Sequence, residues 1–237
     1  MLIGGLQKTT LIDYPGKVAC TVFLVGCNFR CPFCHNRDLV SPDLFRKTAI
    51  IPISEKEFFD FLDKRKKILD GVCITGGEPT INQDLEQFIK KIKALGLSVK
   101  LDTNGSNPGM LRKLIKEKLL DYIAMDLKIS FGEYQKAIRI MNYELRIKKS
   151  IEIISKSGID YEFRTTVVPG LHNKENLVKL AKQLKNLNFK TNWFLQNFQA
   201  QNCLDKTYQQ KKPFTPVAMN EFISLIKPFI PTVKLRE

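Results

Sequence analysis

Six short apolar runs recur along the chain, most of them followed by a segment of helical periodicity, and this alternation constrains the fold more than any other feature. The runs are Val18–Val25, Gly71–Thr75, Leu97–Asp102, Tyr122–Leu127, Tyr161–Val168 and Asn192–Phe198. Turn residues bound most of them, and near-continuous hydrophobicity suits strands covered on both faces. A βα unit repeated in this way predicts a parallel sheet with right-handed crossovers. Six units are too few to close an eight-stranded barrel. The expected fold is therefore α/β, an open partial TIM-like (β/α)6 barrel with parallel strands.

The intervening helices carry readable caps. Ser54-Glu55-Lys56-Glu57 forms a capping box ahead of Phe58, Phe61, Leu62 and Leu69. Leu85, Phe88, Ile89 and Ile92 make a stripe that ends at Gly96, a C′ position. Pro108 opens a helix bearing Leu111, Leu114 and Ile115, and Asn173 caps one bearing Leu177, Leu180, Ala181 and Leu184. Thr215-Pro216 starts another, with Met219, Phe222, Ile223 and Ile226 inward. Such stripes are core. Leu11–Lys17, containing Tyr14-Pro15-Gly16-Lys17, fits a type II turn and is expected to form a small N-terminal hairpin flanking the first strand. Val233–Arg236 is expected to add an edge strand. No linker or low-complexity segment interrupts the chain, so residues 1–237 are expected to form one domain.

Composition excludes some function classes. No apolar run approaches the roughly 18 residues of a membrane span, and Met1-Leu2-Ile3-Gly4-Gly5 lacks the pattern of a secretory leader. A cytoplasmic location without membrane partners is expected. The net charge of +14 admits nucleic acid, an anionic small ligand or an acidic protein as partner. The basic residues are spread over helices, as in Lys64-Arg65-Lys66-Lys67 and Lys90-Lys91, which favours solvated faces over a nucleic-acid patch.

The cysteines carry more information. Three of the six lie within eight residues, in Gly26-Cys27-Asn28-Phe29-Arg30-Cys31-Pro32-Phe33-Cys34-His35-Asn36. In a cytosolic chain such crowding points to metal or redox chemistry rather than to disulfides. Three thiolates spaced C-x3-C-x2-C can hold three irons of a cubane, leaving the fourth iron open to a ligand. Two other readings exist: loop thiols without metal, or a zinc site with His35 as the fourth ligand. The second suffers because His35 directly follows Cys34, an awkward position for closing a tetrahedron.

Unusual residues follow the other strands too, where parallel sheets bind ligands. Thr75-Gly76-Gly77-Glu78-Pro79 follows the second run. Its glycines permit close backbone approach with exposed N–H and C=O groups, and Glu78 supplies a carboxylate able to bind an ammonium group. Asp102-Thr103-Asn104-Gly105 follows the third run, and Asp126-Leu127-Lys128 ends the fourth. Arg164 lies within the fifth, where burial demands either a ligand carboxylate or an acidic partner.

Together these segments resemble the radical S-adenosylmethionine superfamily, and within it the activating enzymes of glycyl-radical enzymes. The cysteine loop with Phe33 before its last cysteine is similar to the superfamily signature, and Gly76-Gly77-Glu78-Pro79 to its second motif. Cys34-His35-Asn36-Arg37-Asp38, Asp102-Thr103-Asn104-Gly105, Asp126-Leu127-Lys128 and Arg164 before Val167-Val168-Pro169-Gly170 resemble the activase subgroup. The opening Gly5-Leu6-Gln7-Lys8 with Leu11–Lys17 resembles activating proteins of anaerobic ribonucleoside-triphosphate reductase.

The resemblance implies one [4Fe–4S] cluster held by Cys27, Cys31 and Cys34, with S-adenosylmethionine chelating the open iron. Reductive cleavage gives methionine and a 5′-deoxyadenosyl radical, which takes an α-hydrogen from a glycine of the partner. It implies Phe33, His35 and the following backbone near the adenine, and Gly76, Gly77, Glu78 and Pro79 at the amino group. Lys128 and Arg164 would face the methionine carboxylate or ribose, Asn104 the ribose hydroxyls, and Asp102 and Asp126 a polar spot able to hold a monovalent cation. Some activases carry a histidine after the sixth strand; here Phe194-Leu195-Gln196-Asn197-Phe198-Gln199 offers Gln196 or Asn197 instead. Implied partners are a glycyl-radical enzyme, anaerobic ribonucleotide reductase in particular, and a low-potential donor such as flavodoxin or ferredoxin. Cys20 and Cys73 are expected to pack as small hydrophobes, and no auxiliary iron–sulfur centre is expected. A deazaguanine-type radical enzyme acting on a small molecule is the alternative within the superfamily, and a zinc-containing nucleic-acid module the alternative outside it.

Overall fold

The computed structural model describes residues 1–187 and 192–236. In chain order the elements are β1 (Ile3–Thr10), β2 (Ala19–Leu24), α1 (Pro42–Arg46), α2 (Glu55–Arg65), β3 (Gly71–Gly76), α3 (Leu85–Ala94), β4 (Ser98–Thr103) and α4 (Pro108–Lys116). Then follow β5 (Tyr122–Asp126), α5 (Tyr134–Ile138), α6 (Glu144–Ser155), β6 (Asp160–Val167), α7 (Lys174–Asn186), β7 (Trp193–Asn197), α8 (Pro216–Ile226) and β8 (Val233–Arg236). The strands form one open sheet in sequential order, β1 to β8. β1 runs antiparallel to β2, and every later pair is parallel. This is the expected partial barrel, with Val233–Arg236 as its edge.

The register separates two faces. Val22, Ile74, Leu101 and Ile123 are successive partners and fully buried beneath the helices. One residue away, Thr21, Cys73, Lys100 and Tyr122 are also successive partners and point to the opposite, inner face. The strands are thus apolar toward the helices and polar within, a division that near-continuous apolar runs do not display. The capping boxes form at Ser54 and Asn173, Asn107 caps the helix that Pro108 opens, and Thr215 caps α8. Gly96 follows α3 at φ +80°, as a C′ glycine should.

Two elements differ from expectation. The N-terminal hairpin is built from Ile3–Thr10 paired with β2, and Leu11–Lys17 belongs to the connection between them. Within that connection the Tyr14–Lys17 turn is present, with Lys17 N–H donating to Tyr14 C=O at 3.2 Å and Gly16 at φ +71°. The turn buries Tyr14 against Gly71, where a Cβ would stand 3.0 Å from the ring. The second is α6, a helix the alternation requires but that was not named; it lies between β5 and β6 in the chain and buries Ile147, Ile151 and Ile154. Their i, i+4, i+7 spacing is a helical signal set among lysines.

Candidate active site

The cysteine loop leaves β2 at Gly26 and is tied down by its own backbone. Cys27 N–H donates to Val40 C=O at 2.9 Å, and Arg30 N–H to Ile138 C=O at 2.9 Å. The segment after β7 braces the loop's far side, where Leu204 N–H reaches Cys34 C=O and Asp205 N–H reaches Pro32 C=O. Cys27, Cys31 and Cys34 all line one cavity at the C-terminal ends of the strands. Burial pushes the Cys27 thiol up to about 11 and the Cys31 thiol up to about 12, and raises Cys34 in the same direction. The Phe29 N–H points at Cys27 Sγ from 3.3 Å.

The glycine pair of the next loop serves packing. A Cβ on Gly76 would sit 2.3 Å from Leu24 N, and one on Gly77 would sit 2.0 Å from Gly26 O. Gly77 N–H donates to Leu24 C=O at 2.8 Å and Glu78 N–H to Gly26 C=O at 2.7 Å. These two N–H groups are engaged by the cysteine loop's root, a correction to the expectation that they are exposed. Glu78 is fully buried, and its carboxylate accepts from Thr80 N–H, from the Thr80 and Thr103 hydroxyls and from Asn104 N–H. Burial raises its pKa against the pull of these four donors. The side chain expected to meet an ammonium group thus ties two loops together. Pro79 is buried in the short 3-10 turn that follows.

Asn104 is also engaged. Its amide donates to Asn28 Oδ1 at 3.1 Å and lies 3.9 Å from Cys27 Sγ, while its oxygen accepts Ser106 N–H. Phe33 is buried, its ring centroid 6.4 Å from that of Tyr208. His35 is exposed at the mouth beside Asn36, its Nδ1 3.1 Å from Gln201 O. Asn197, considered as a replacement for a histidine, instead pairs with the backbone of Phe214 through both amide atoms. Neither it nor Gln196 lines the cavity.

Opposite the thiols runs an alternating chain of charge. Lys100 pairs with Asp102, whose other oxygen takes Arg164 Nη1 at 3.0 Å. Arg164 Nε donates to Asp126 at 2.9 Å, and Asp126 takes Lys128 Nζ at 3.0 Å. Of the two outcomes foreseen for Arg164, pairing with acids is the one observed, and its side chain also lines the cavity. Burial opposes ionisation of Asp126, yet Lys128 and Arg164 hold it well below the usual carboxylate range. The same contest lowers Asp102, with Arg164 and Lys100 prevailing. Of this chain, Arg164 and Lys128 line the cavity and present cationic groups to it, suited to an anionic ligand group, with Asp102 and Asp126 as their counter-ions. Lys100 was missed by sequence reading; it stands two residues before Asp102, on the same strand face.

The backbone of Lys128 is clamped. Its N–H donates to the Tyr134 hydroxyl at 3.0 Å, and its carbonyl lies 2.8 Å from His172 Nε2. His172 Nδ1 accepts Val168 N–H at 2.9 Å, so the ring is neutral with its proton on Nε2. Among the described residues, no three His, Cys, Asp or Glu side chains converge on a single ion. No described helix is long and apolar enough to cross a membrane.

Known proteins are similar to this chain. The profile of the Radical SAM superfamily matches residues 21–184. A Methanocaldococcus jannaschii protein named for glycyl-radical enzyme activation is 31% identical over 99% of this chain and 95% of its own length. The pyruvate formate-lyase-activating enzyme of Clostridium pasteurianum is 27% identical over 78% of this chain and 76% of its own. Among solved structures, Streptococcus suis SuiB bound to the precursor peptide SuiA matches 92% of the chain with a TM-score of 0.69 at 14% identity. The chain spans about half of that structure (48%), and the likeness concerns fold alone. From the superfamily match and the near full-length relative together, the chain belongs to the radical S-adenosylmethionine superfamily and, within it, to the glycyl-radical enzyme activating enzymes.

Proposed function

We propose that this activating enzyme installs its glycyl radical on an anaerobic ribonucleotide reductase. We further propose that Cys27, Cys31 and Cys34 hold the [4Fe–4S] cluster that the family uses together with S-adenosylmethionine. The observation that carries the site reading is the placement of three loop thiols together with the ion-paired Arg164 and Lys128 around one cavity. The donor set suits the cluster: three thiols from one loop, lining one cavity, match a cubane with one open iron.

When bound, the cluster and S-adenosylmethionine supply a one-electron reductive cleavage that yields methionine and a 5′-deoxyadenosyl radical. The chain's own residues bind and orient. Lys128 and Arg164 receive the methionine carboxylate, held in place by Asp126 and Asp102. The carbonyl groups of Gly76 and Gly77, which line the cavity, receive the ammonium group, in a backbone path fixed by Glu78. Phe33 and His35 border the adenine, and Asn104 fixes the cysteine loop through Asn28. The exposed edge at His35 and Asn36 is where a glycine-bearing segment enters, and flavodoxin or ferredoxin supplies the electron.

The choice of reductase rests on the Gly5–Lys8 and Leu11–Lys17 segments, because the similarity to pyruvate formate-lyase activases supports the activase class equally. An anaerobic incubation of the reduced protein with each candidate partner tests it. The glycyl-radical electron paramagnetic resonance doublet is expected on the reductase. A doublet on pyruvate formate-lyase alone would overturn the partner assignment.

A further inference from the structure

Below the charge chain, on the same inner face of the sheet, lies a second ion pair, its carboxylate buried and its arginine partly exposed. Glu162 is 1% exposed and receives Arg236 in a two-pronged contact at 2.8 and 2.7 Å. The Tyr122 hydroxyl donates to the same carboxylate at 2.9 Å. Arg236 lies on β8, and its guanidinium stacks 4.2 Å from the Phe194 ring centroid of β7. Glu162 precedes Arg164 by two residues on β6, so their side chains share a face about 6.6 Å apart along the strand.

We infer that Arg236 is a positioning residue for S-adenosylmethionine binding: by holding Glu162, it leaves Arg164 committed to Asp102, Asp126 and the cavity. The inference rests on the reading that Arg164 faces the cofactor's carboxylate. Arg164 has three acidic neighbours, and Asp102, Asp126 and Glu162 all favour its charged form against burial. Two of them hold its nitrogens toward the cavity, at 3.0 and 2.9 Å. The third lies on the far side and is occupied by Arg236. Without Arg236, Glu162 keeps the Tyr122 hydroxyl but loses its counter-ion, and Arg164, on the same face of the same strand, is a cation that already feels its charge. Competition for that guanidinium then draws it down the strand, away from the cofactor. Bidentate geometry and stacking on Phe194 make Arg236 suited to this task in a way a lysine is not.

The test is binding of S-adenosylmethionine to cluster-reconstituted protein, read by calorimetry and by the perturbed spectrum of the reduced cluster, with cleavage kinetics alongside. Arg236→Ala is expected to weaken binding roughly ten-fold, within the usual range for coupled sites. KM should rise while kcat changes little. Removing both charges, in Glu162→Gln/Arg236→Gln, is expected to restore affinity to within about three-fold of the parent, since no competitor remains. Arg236→Lys should lie between. Unchanged affinity in Arg236→Ala, even with a lowered melting temperature, would show a structural role only and overturn the inference. If Arg236→Ala does not fold, the doubly neutral variant decides: a ten-fold loss there overturns it equally. A parent protein that binds no S-adenosylmethionine would refute the site reading instead, so the two failures are distinct.

Discussion

Glu78 accepts the Asn104 main-chain N–H at 2.6 Å, which joins the loop after β3 to the loop after β4. The same carboxylate takes both donors of Thr80 and the Thr103 hydroxyl, all without solvent contact. An amide cannot accept all four donors. Glu78→Gln is expected to destabilise the metal-free chain by about 1–3 kcal/mol, the cost of leaving a buried donor unmet. Denaturant unfolding checks this, and an unchanged midpoint would mean that the loops are held by other contacts.

The glycine pair gives a graded prediction. Ala at position 77 places its Cβ against Gly26 O, whereas Ala at position 96 meets nothing within 4 Å and only has to adopt φ +80°. Gly77→Ala should lower both stability and iron incorporation. Gly96→Ala should cost roughly 1–2 kcal/mol from backbone strain alone and leave iron incorporation intact. Equal iron content in the two variants would contradict the role given to the Gly76–Gly77 contact.

His172 makes stability depend on pH. Burial lowers its pKa to about 4 from an ordinary value near 6.5. Between those values the unfolded chain binds the proton and the folded chain does not, so stability falls as pH falls through that window. The full loss is about 3 kcal/mol by pH 4. His172→Gln should remove this slope. Parallel stability–pH curves for parent and variant would show that the ring is not buried neutral.

Much of this was legible beforehand because it depends on local chemistry. The Ser54 and Asn173 caps, the Gly96 stop and the Tyr14–Lys17 turn are set by residues within a few positions of one another. The strand-end residues were legible as a group because a parallel sheet gathers its C-terminal ends. What they would touch was less so. Glu78 and Asn104 carry the right chemistry for a ligand, but their partners Thr80, Thr103 and Asn28 are brought to them by loop packing. Lys100 reads as an oddity in an apolar strand until the register sets it beside Asp102 and Cys73. Arg236 and Glu162 are 74 positions apart, and only the order of strands from β6 to β8 brings them together. The β1 strand escaped notice because glycines and polar residues interrupt its hydrophobicity.

Arg164 contacts two carboxylates through different nitrogens, a geometry that a single ammonium group does not reproduce. Arg164→Lys is expected to raise KM for S-adenosylmethionine roughly ten-fold, corresponding to about 1.4 kcal/mol. The iron content should be unchanged. Cleavage kinetics together with iron analysis separate this from loss of the cluster, and an unaltered KM would remove Arg164 from the cofactor site.

The central claim is that three thiols of one loop hold a four-iron cluster. Metal analysis of anaerobically purified and reconstituted protein, alongside Cys27→Ala, Cys31→Ala and Cys34→Ala, tests it most directly. About four irons per parent chain are expected, with loss of both the cluster and 5′-deoxyadenosine formation in each variant. One zinc and no iron in the parent, or cofactor cleavage retained in Cys31→Ala, would contradict it.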